Sequence, residues 1–339
     1  MSSTNKRITW VDIGKYICIM CVMMVHLESS TDFLEQFYLP FFLTMFFFLA
    51  GYVYRQPDSF KTHIIKKIKG LLVPWFIFSN LNILLSAVIS LKGNRNITSE
   101  LIWNLIQIRG RSDGLWFIAA LFVTFIPFYF FMKLDNKKVA IVVSVLLVAV
   151  REAYLSLFPT DILPWGGRSL PWHIEYIPYA MIWMVLGYYF KNEWEAEFDK
   201  HDSLVFKVAS GALYLILIFA SGAIEKNTGY TLHVLPYITS VVGIVFVISI
   251  CKLLKTNKYV SYVGANTLIY FALHGKLYAV IEKVLNSKFT GFYHTCLNNV
   301  LYSSVLCIAF ALLLSVLLIV PAYVINRWLP WMVGRTKKR

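Results

Sequence analysis

The apolar residues of this 339-residue chain are gathered into runs long enough to cross a bilayer, and that grouping leaves few folds open. Ten windows qualify: 8–27, 37–54, 71–91, 115–132, 139–158, 174–190, 204–222, 233–254, 263–284 and 297–323. A chain that is 58% hydrophobic and only 15% charged lies far from the soluble average, so these windows read as membrane spans. The expected fold is all-α, a polytopic membrane protein of about ten transmembrane helices. No polar stretch is long enough to fold by itself, so residues 1–339 read as one integral membrane domain with tails at about 1–7 and 324–339.

Charge sets the expected orientation. With the N-terminus inside, 21 of the 32 Lys and Arg residues flank the inner ends of the spans, ten belong to the outer side, and Lys15 lies within the first span. Positive residues are retained on the cytoplasmic side, so both termini are expected there. The same retention accounts for the net charge of +14 without a nucleic-acid partner. Asp12 and Lys15 interrupt the first apolar run and no small-x-small cleavage site follows, which sets it apart from a signal peptide. Four of the five cysteines (Cys18, Cys21, Cys251, Cys296 and Cys307) lie in or at the edge of spans, against a disulfide framework, and Cys18-Ile-Met-Cys21 reads as small apolar packing.

The usual soluble signatures do not occur: there is no Walker loop, no Rossmann glycine pattern, no H-E-x-x-H and no G-x-S-x-G elbow. His and Asp residues show no zinc-like spacing, and no metal is expected. These absences argue against a nucleotide-driven pump or a metallohydrolase. A secondary transporter stays compatible with them.

Ionisable residues inside spans carry the functional signal, because each is costly in lipid and needs a reason to be there. In residues 7–26 (RITWVDIGKYICIMCVMMVH), Lys15 and His26 are eleven positions apart. On a helix that places them about 16 Å apart along the axis and within about 20° of one face. Asp12, three residues before Lys15, is spaced for an ion pair with it. The stripe reads either as interfacial anchors, with Lys15 snorkelling, or as a face that handles a charged ligand inside the protein. His274 lies about 18 Å into its own span, a depth similar to that of His26, so the two imidazoles could converge; a buried His is also commonly structural. Arg151, Glu152 and Glu175 either pair with one another to hold the bundle or line an acceptor pocket. The basic loop 55–70, with Lys66, Lys67 and Lys69, suits anionic headgroups or a ligand phosphate. Outside, residues 97–109 have helical spacing with Thr98 or Ser99 as a start signal, and the Pro-, Gly- and Trp-rich turn 159–171 shapes an outer rim.

The opening pattern, Arg7 to Lys15 and then ten residues to His26, resembles the signature of the acyltransferase 3 family of integral membrane acyltransferases. Residues 40–55 (PFFLTMFFFLAGYVYR) are similar to the second-helix pattern of its fucose 4-O-acetylase-like branch, 66–75 (KKIKGLLVPW) to the basic entry of the third helix, LWF at 115–117 to a later marker, and LIYFALH at 268–274 to a late-helix motif. Tyr38 stands where that branch has His, and Ala50 where it has Ser. The resemblance implies transfer of an acyl group, most simply acetyl from acetyl-CoA, to a sugar hydroxyl of a cell-surface polysaccharide or its lipid-linked precursor, in a multi-pass protein of the bacterial inner membrane. It also implies His26 as general base or acyl carrier, Lys15 on the CoA phosphates with Asp12 holding it, and Lys66, Lys67 and Lys69 adding to the phosphate field. The expected partners are acyl-CoA, a glycan or lipid-linked sugar, and membrane lipids. An exporter of polysaccharide or lipid-linked sugar is the competing reading.

Overall fold

The computed structural model describes residues 8–90, 96–134, 136–160, 163–228 and 234–335; Arg7, the first residue of the opening signature, lies outside them. Among the described residues the protein is helical throughout, and no strand forms beyond one isolated bridge between Ile108 and Arg111. Five helices are long and apolar enough to cross a membrane: Phe60–Val88, Lys137–Leu157, Leu204–Ile224, Leu235–Leu253 and Val300–Trp328. Leu39–Tyr52 and Trp116–Phe131 are apolar but shorter. Large apolar side chains face outward along these helices, among them Val150, Val205, Ile216 and Leu301, as lipid rather than water as solvent requires.

Two compact units form by contact. The first comprises residues 1–49, 193–271 and 281–319, the second residues 50–192, 272–280 and 320–339. In the first, the helix Thr9–Val25 is central and packs against Lys258–Ala265, Leu235–Leu253 and Val300–Leu317. Its buried residues, from Trp10 to Met23, occupy more than one face, as expected of an element surrounded by others. Contact with Lys258–Ala265 is backbone to backbone: a Cβ on Gly264 would come within 2.3 Å of the Asp12 carbonyl oxygen. At one end of this unit Lys252 binds Glu195 and Asp199, each at 2.7 Å, and Trp10 donates to Glu195 at 3.1 Å.

The span expected at 263–284 is divided. Lys258–Ala265 ends at Asn266, whose amide donates to the Tyr262 carbonyl at 2.8 Å, and Thr267–Lys288 starts afresh. Asn266 competes for backbone groups that the helix would otherwise use, which accounts for the break.

In the second unit, Lys137–Leu157 buries Ala140, Ser144 and Val148, a stripe of small residues four apart that lets Ile177–Tyr189 approach closely. Within the basic stretch 55–70, where the segment 61–69 reads as amphipathic, the chain is helical from Phe60 to Lys67 and continues through a π-turn, Ile68–Leu72, into Val73–Ser90. The C-terminal segment runs as helix to Trp328, within the expected tail, and then as a 3-10 turn over Pro330–Val333. Gly334 follows at φ +68°, where an added Cβ would meet the Lys69 carbonyl at 2.0 Å. The helix expected within 97–109 forms as Ile97–Ile106, but its N-cap is Asn96, which accepts from the Ser99 amide at 3.0 Å, rather than Thr98 or Ser99.

Candidate active site

His26 is the C-cap of the first helix, which runs without interruption from Lys15 to Val25, so the distance of about 16 Å along the axis holds. The imidazole is exposed, and its Nδ1 lies 2.7 Å from the Val22 carbonyl one turn back. A carbonyl only accepts, so Nδ1 carries the proton and, in the neutral ring, the basic lone pair is on Nε2. The chain thereby fixes ring orientation and tautomer before any ligand arrives. Lys15 is half-buried on the same helix, and Asp12 is buried where Gly264 covers its backbone.

The turn after His26 is held by side chains from distant parts of the first unit. Glu28 accepts from the buried Tyr293 hydroxyl at 2.9 Å. Ser303 donates to the Ser29 carbonyl at 2.9 Å, and Thr31 and Ser304 share a hydrogen bond at 2.8 Å. Ser30 donates to Glu35 at 2.7 Å and meets the Tyr38 hydroxyl at 3.0 Å. Tyr38, where the resemblance led to an expectation of His, is therefore part of the scaffold that fixes the end of the first helix.

The second unit holds the remaining candidates. Lys66 and Lys69 are exposed. Lys67 is turned inward, with Nζ 3.1 Å from the centroid of the Phe125 ring and 5.7 Å from that of Tyr54. Beside it the buried His63 donates from Nε2 to the Phe125 carbonyl at 2.9 Å. The three lysines are thus not equivalent: two face outward, and one is seated on aromatic faces. Arg151 pairs with Glu152 and donates to the Glu175 carbonyl at 3.0 Å, and the Glu175 carboxylate accepts from the Leu170 amide at 2.9 Å. The structure brings these three residues together around the backbone of the 170–176 turn. His274 is buried in the second unit, whereas His26 belongs to the first. Among the described residues no group of three His, Cys, Asp or Glu side chains is arranged to hold a metal ion.

The family model of an acyltransferase domain, Acyl_transf_3, matches residues 8–322. This chain belongs to the acyltransferase 3 family. As an acyltransferase 3 protein it is an acyltransferase, and its apolar helices make it an integral membrane protein. The match includes all the candidate residues from Asp12 to His274. No curated protein and no solved structure matches the chain. Two polar residues of this acyltransferase escape a sequence reading, Glu28 and Tyr293. Glu28 is two residues past His26 and could have been singled out on that ground, but nothing local links it to a tyrosine 265 positions away.

Proposed function

We propose that this acyltransferase 3 protein moves an acetyl group from acetyl-CoA to a sugar hydroxyl of a cell-surface polysaccharide or its lipid-linked precursor. In this reading it is a protein of the bacterial inner membrane with about ten spans and both termini cytoplasmic, on the fucose 4-O-acetylase-like side of its family. The observation that carries the reading is the His26 imidazole, held through Nδ1 with its basic Nε2 lone pair defined. Nε2 takes the proton of the acceptor hydroxyl as that oxygen attacks the thioester carbonyl; the new C–O bond forms, the C–S bond breaks, and the proton passes to the departing CoA sulfur. Lys15 supplies positive charge for the CoA phosphates one helix length away, and the exposed Lys66 and Lys69 add to the field that attracts them.

Acetyl-CoA is expected to raise the melting temperature of the detergent-solubilised protein by mass action, with salt weakening the effect as phosphate attraction is screened. Lys15→Ala should remove much of that protection and Lys15→Arg should retain most of it. Absence of protection by any acyl-CoA, beside protection by a glycan precursor, would favour an exporter. Cysteine labelling is expected to find positions 66 and 255 accessible from the cytoplasm and position 111 from outside. Labelling of position 66 from outside would invert the topology and remove the proposed CoA entrance.

A further inference from the structure

Two loops of the second unit, residues 107–116 and 163–176, are built to a degree that spanning the membrane does not require. All four non-glycine residues with positive φ in the described chain, Gln107, Ser112, Trp172 and His173, lie in these loops, as do three of its four such glycines. Side chains held in the left-handed region are strained, and such strain clusters at active sites and ligand clamps. The loops are also stitched to one another. The Arg109 amide donates to Ser169 at 3.0 Å and Arg111 to the Trp165 carbonyl at 2.7 Å, and within the second loop the Trp165 indole donates to the Ser169 carbonyl at 2.9 Å.

Charge is sorted across this structure. Asp113 and Glu175 are buried, with His173 between them at 3.9 and 3.8 Å from their respective oxygens and itself inaccessible to solvent. The guanidinium groups lie outward. Arg111 is exposed, the Arg109 side chain is 50% exposed, and Arg168 is half-buried. Arg109 is partly neutralised by Asp113 at 3.2 Å, whereas Arg111 and Arg168 bind backbone carbonyls and meet no carboxylate among the described residues. Arg109 and Arg111 sit 4.5 Å over the rings of Trp116 and Trp103, and those indoles, like Trp165, remain half-buried. The outcome is a rigid, positively charged surface interleaved with flat apolar rings.

We propose that these two loops form an acceptor-recognition surface for an anionic glycan, with Arg111 and Arg168 binding its carboxylate or phosphate groups and the indoles packing against sugar rings. This rests on the functional reading above, in whose topology the loops face outward. Guanidinium groups give planar, two-point recognition of carboxylate and phosphate, and an indole offers an apolar face to the C–H side of a pyranose. A phospholipid headgroup is the other anion at a membrane surface, but fluid headgroups are met by mobile basic side chains and need no strained frame.

The test is binding of a hyaluronate hexasaccharide to the full-length protein in detergent, with maltohexaose as the neutral control and short-chain phosphatidylglycerol as the lipid control. Hyaluronate should bind in a salt-sensitive manner and maltohexaose much more weakly. The Arg111→Gln/Arg168→Gln protein should lose about tenfold or more in hyaluronate affinity, while Arg111→Lys/Arg168→Lys, which keeps the charge and reports on folding, should lose less. Equal binding of the two sugars, or unchanged hyaluronate affinity in the glutamine variant at normal melting temperature, would overturn the proposal. So would loss of phosphatidylglycerol binding alone, which would make the surface a headgroup site. Glycan binding without acyl transfer in the unaltered chain would defeat the functional reading only, and acyl transfer without preference for an anionic sugar would defeat this one only.

Discussion

Replacing His26 by Gln is expected to lower acyl transfer by about 10²-fold or more, at normal protein abundance and with acyl-CoA protection intact. Glutamine can still donate to the Val22 carbonyl that now receives Nδ1–H, so the end of the helix keeps its partner. What it lacks is the second, basic nitrogen. His26→Ala removes both and should show the same loss of transfer with a small additional loss of stability. If the imidazole only capped the helix, the ranking would be different: the Gln protein would be close to wild type and only Ala would suffer. Acetylation of the surface glycan, measured together with protein abundance, separates the two. A Gln variant that acetylates at the wild-type rate would end the catalytic assignment of His26.

Gly264→Val is expected to have the largest effect on the fold itself. A Cβ there falls 2.3 Å from the Asp12 carbonyl oxygen, well inside contact distance, and the obstacle is backbone that cannot rotate aside. The Lys258–Ala265 helix would have to move away from the central helix, with a cost at or above the usual range for overpacking, about 1–3 kcal/mol. The displaced residues include Asp12, one turn from Lys15, so acyl-CoA protection should fall along with stability. Gly275→Ala is the control. Nothing lies within 4 Å of its added Cβ, and alanine in a helix is favoured over glycine by about 0.5–1 kcal/mol. Melting temperature and yield of the two proteins should move in opposite directions; equal behaviour would show that the flush contact at Asp12 does not matter.

Much of this architecture follows from periodicity and apolar run length. The first helix was expected over 8–27 and is found at Thr9–Val25, with Lys15 and His26 joined by continuous helix because nothing polar enough to divert the backbone lies between them. Family membership was legible across the chain, since its motifs are local and ordered, and the match over residues 8–322 agrees with that reading. Polar residues that act on their own backbone were less legible. Asn96 takes the cap position from Thr98 and Ser99, and Asn266 divides an apolar window that hydropathy alone joins. Of the candidate site, the identity of His26 could be read, but its tautomer could not, because that depends on a side chain folding back onto its own helix. The fixing of the following turn by Tyr293, Ser303 and Ser304 depends on tertiary contact. Of the strained loops, only residues 159–171 were visible, as a Pro-, Gly- and Trp-rich rim; positive φ is unsurprising at Gly110, Gly166 and Gly167, but at Gln107, Ser112 and Trp172 it falls on residue types that give no local warning.

The π-turn at Ile68–Leu72 changes how the sequence on either side of it can be read. Such a turn accommodates one residue more than the α-helix it interrupts, and one residue is worth about 100° of rotation. Phe60–Lys67 and Val73–Ser90 therefore share an axis but not a register, and no single helical wheel describes both. An amphipathic pattern projected back from Val73–Ser90 across the turn assigns Lys66 and Lys67 to the wrong sector, and Lys67 is the one whose ammonium group rests on Phe125. For a relative that lacked the extra residue, the same three lysines would be dealt to different faces, so in this stretch an alignment gap of one position would carry more information than any substitution.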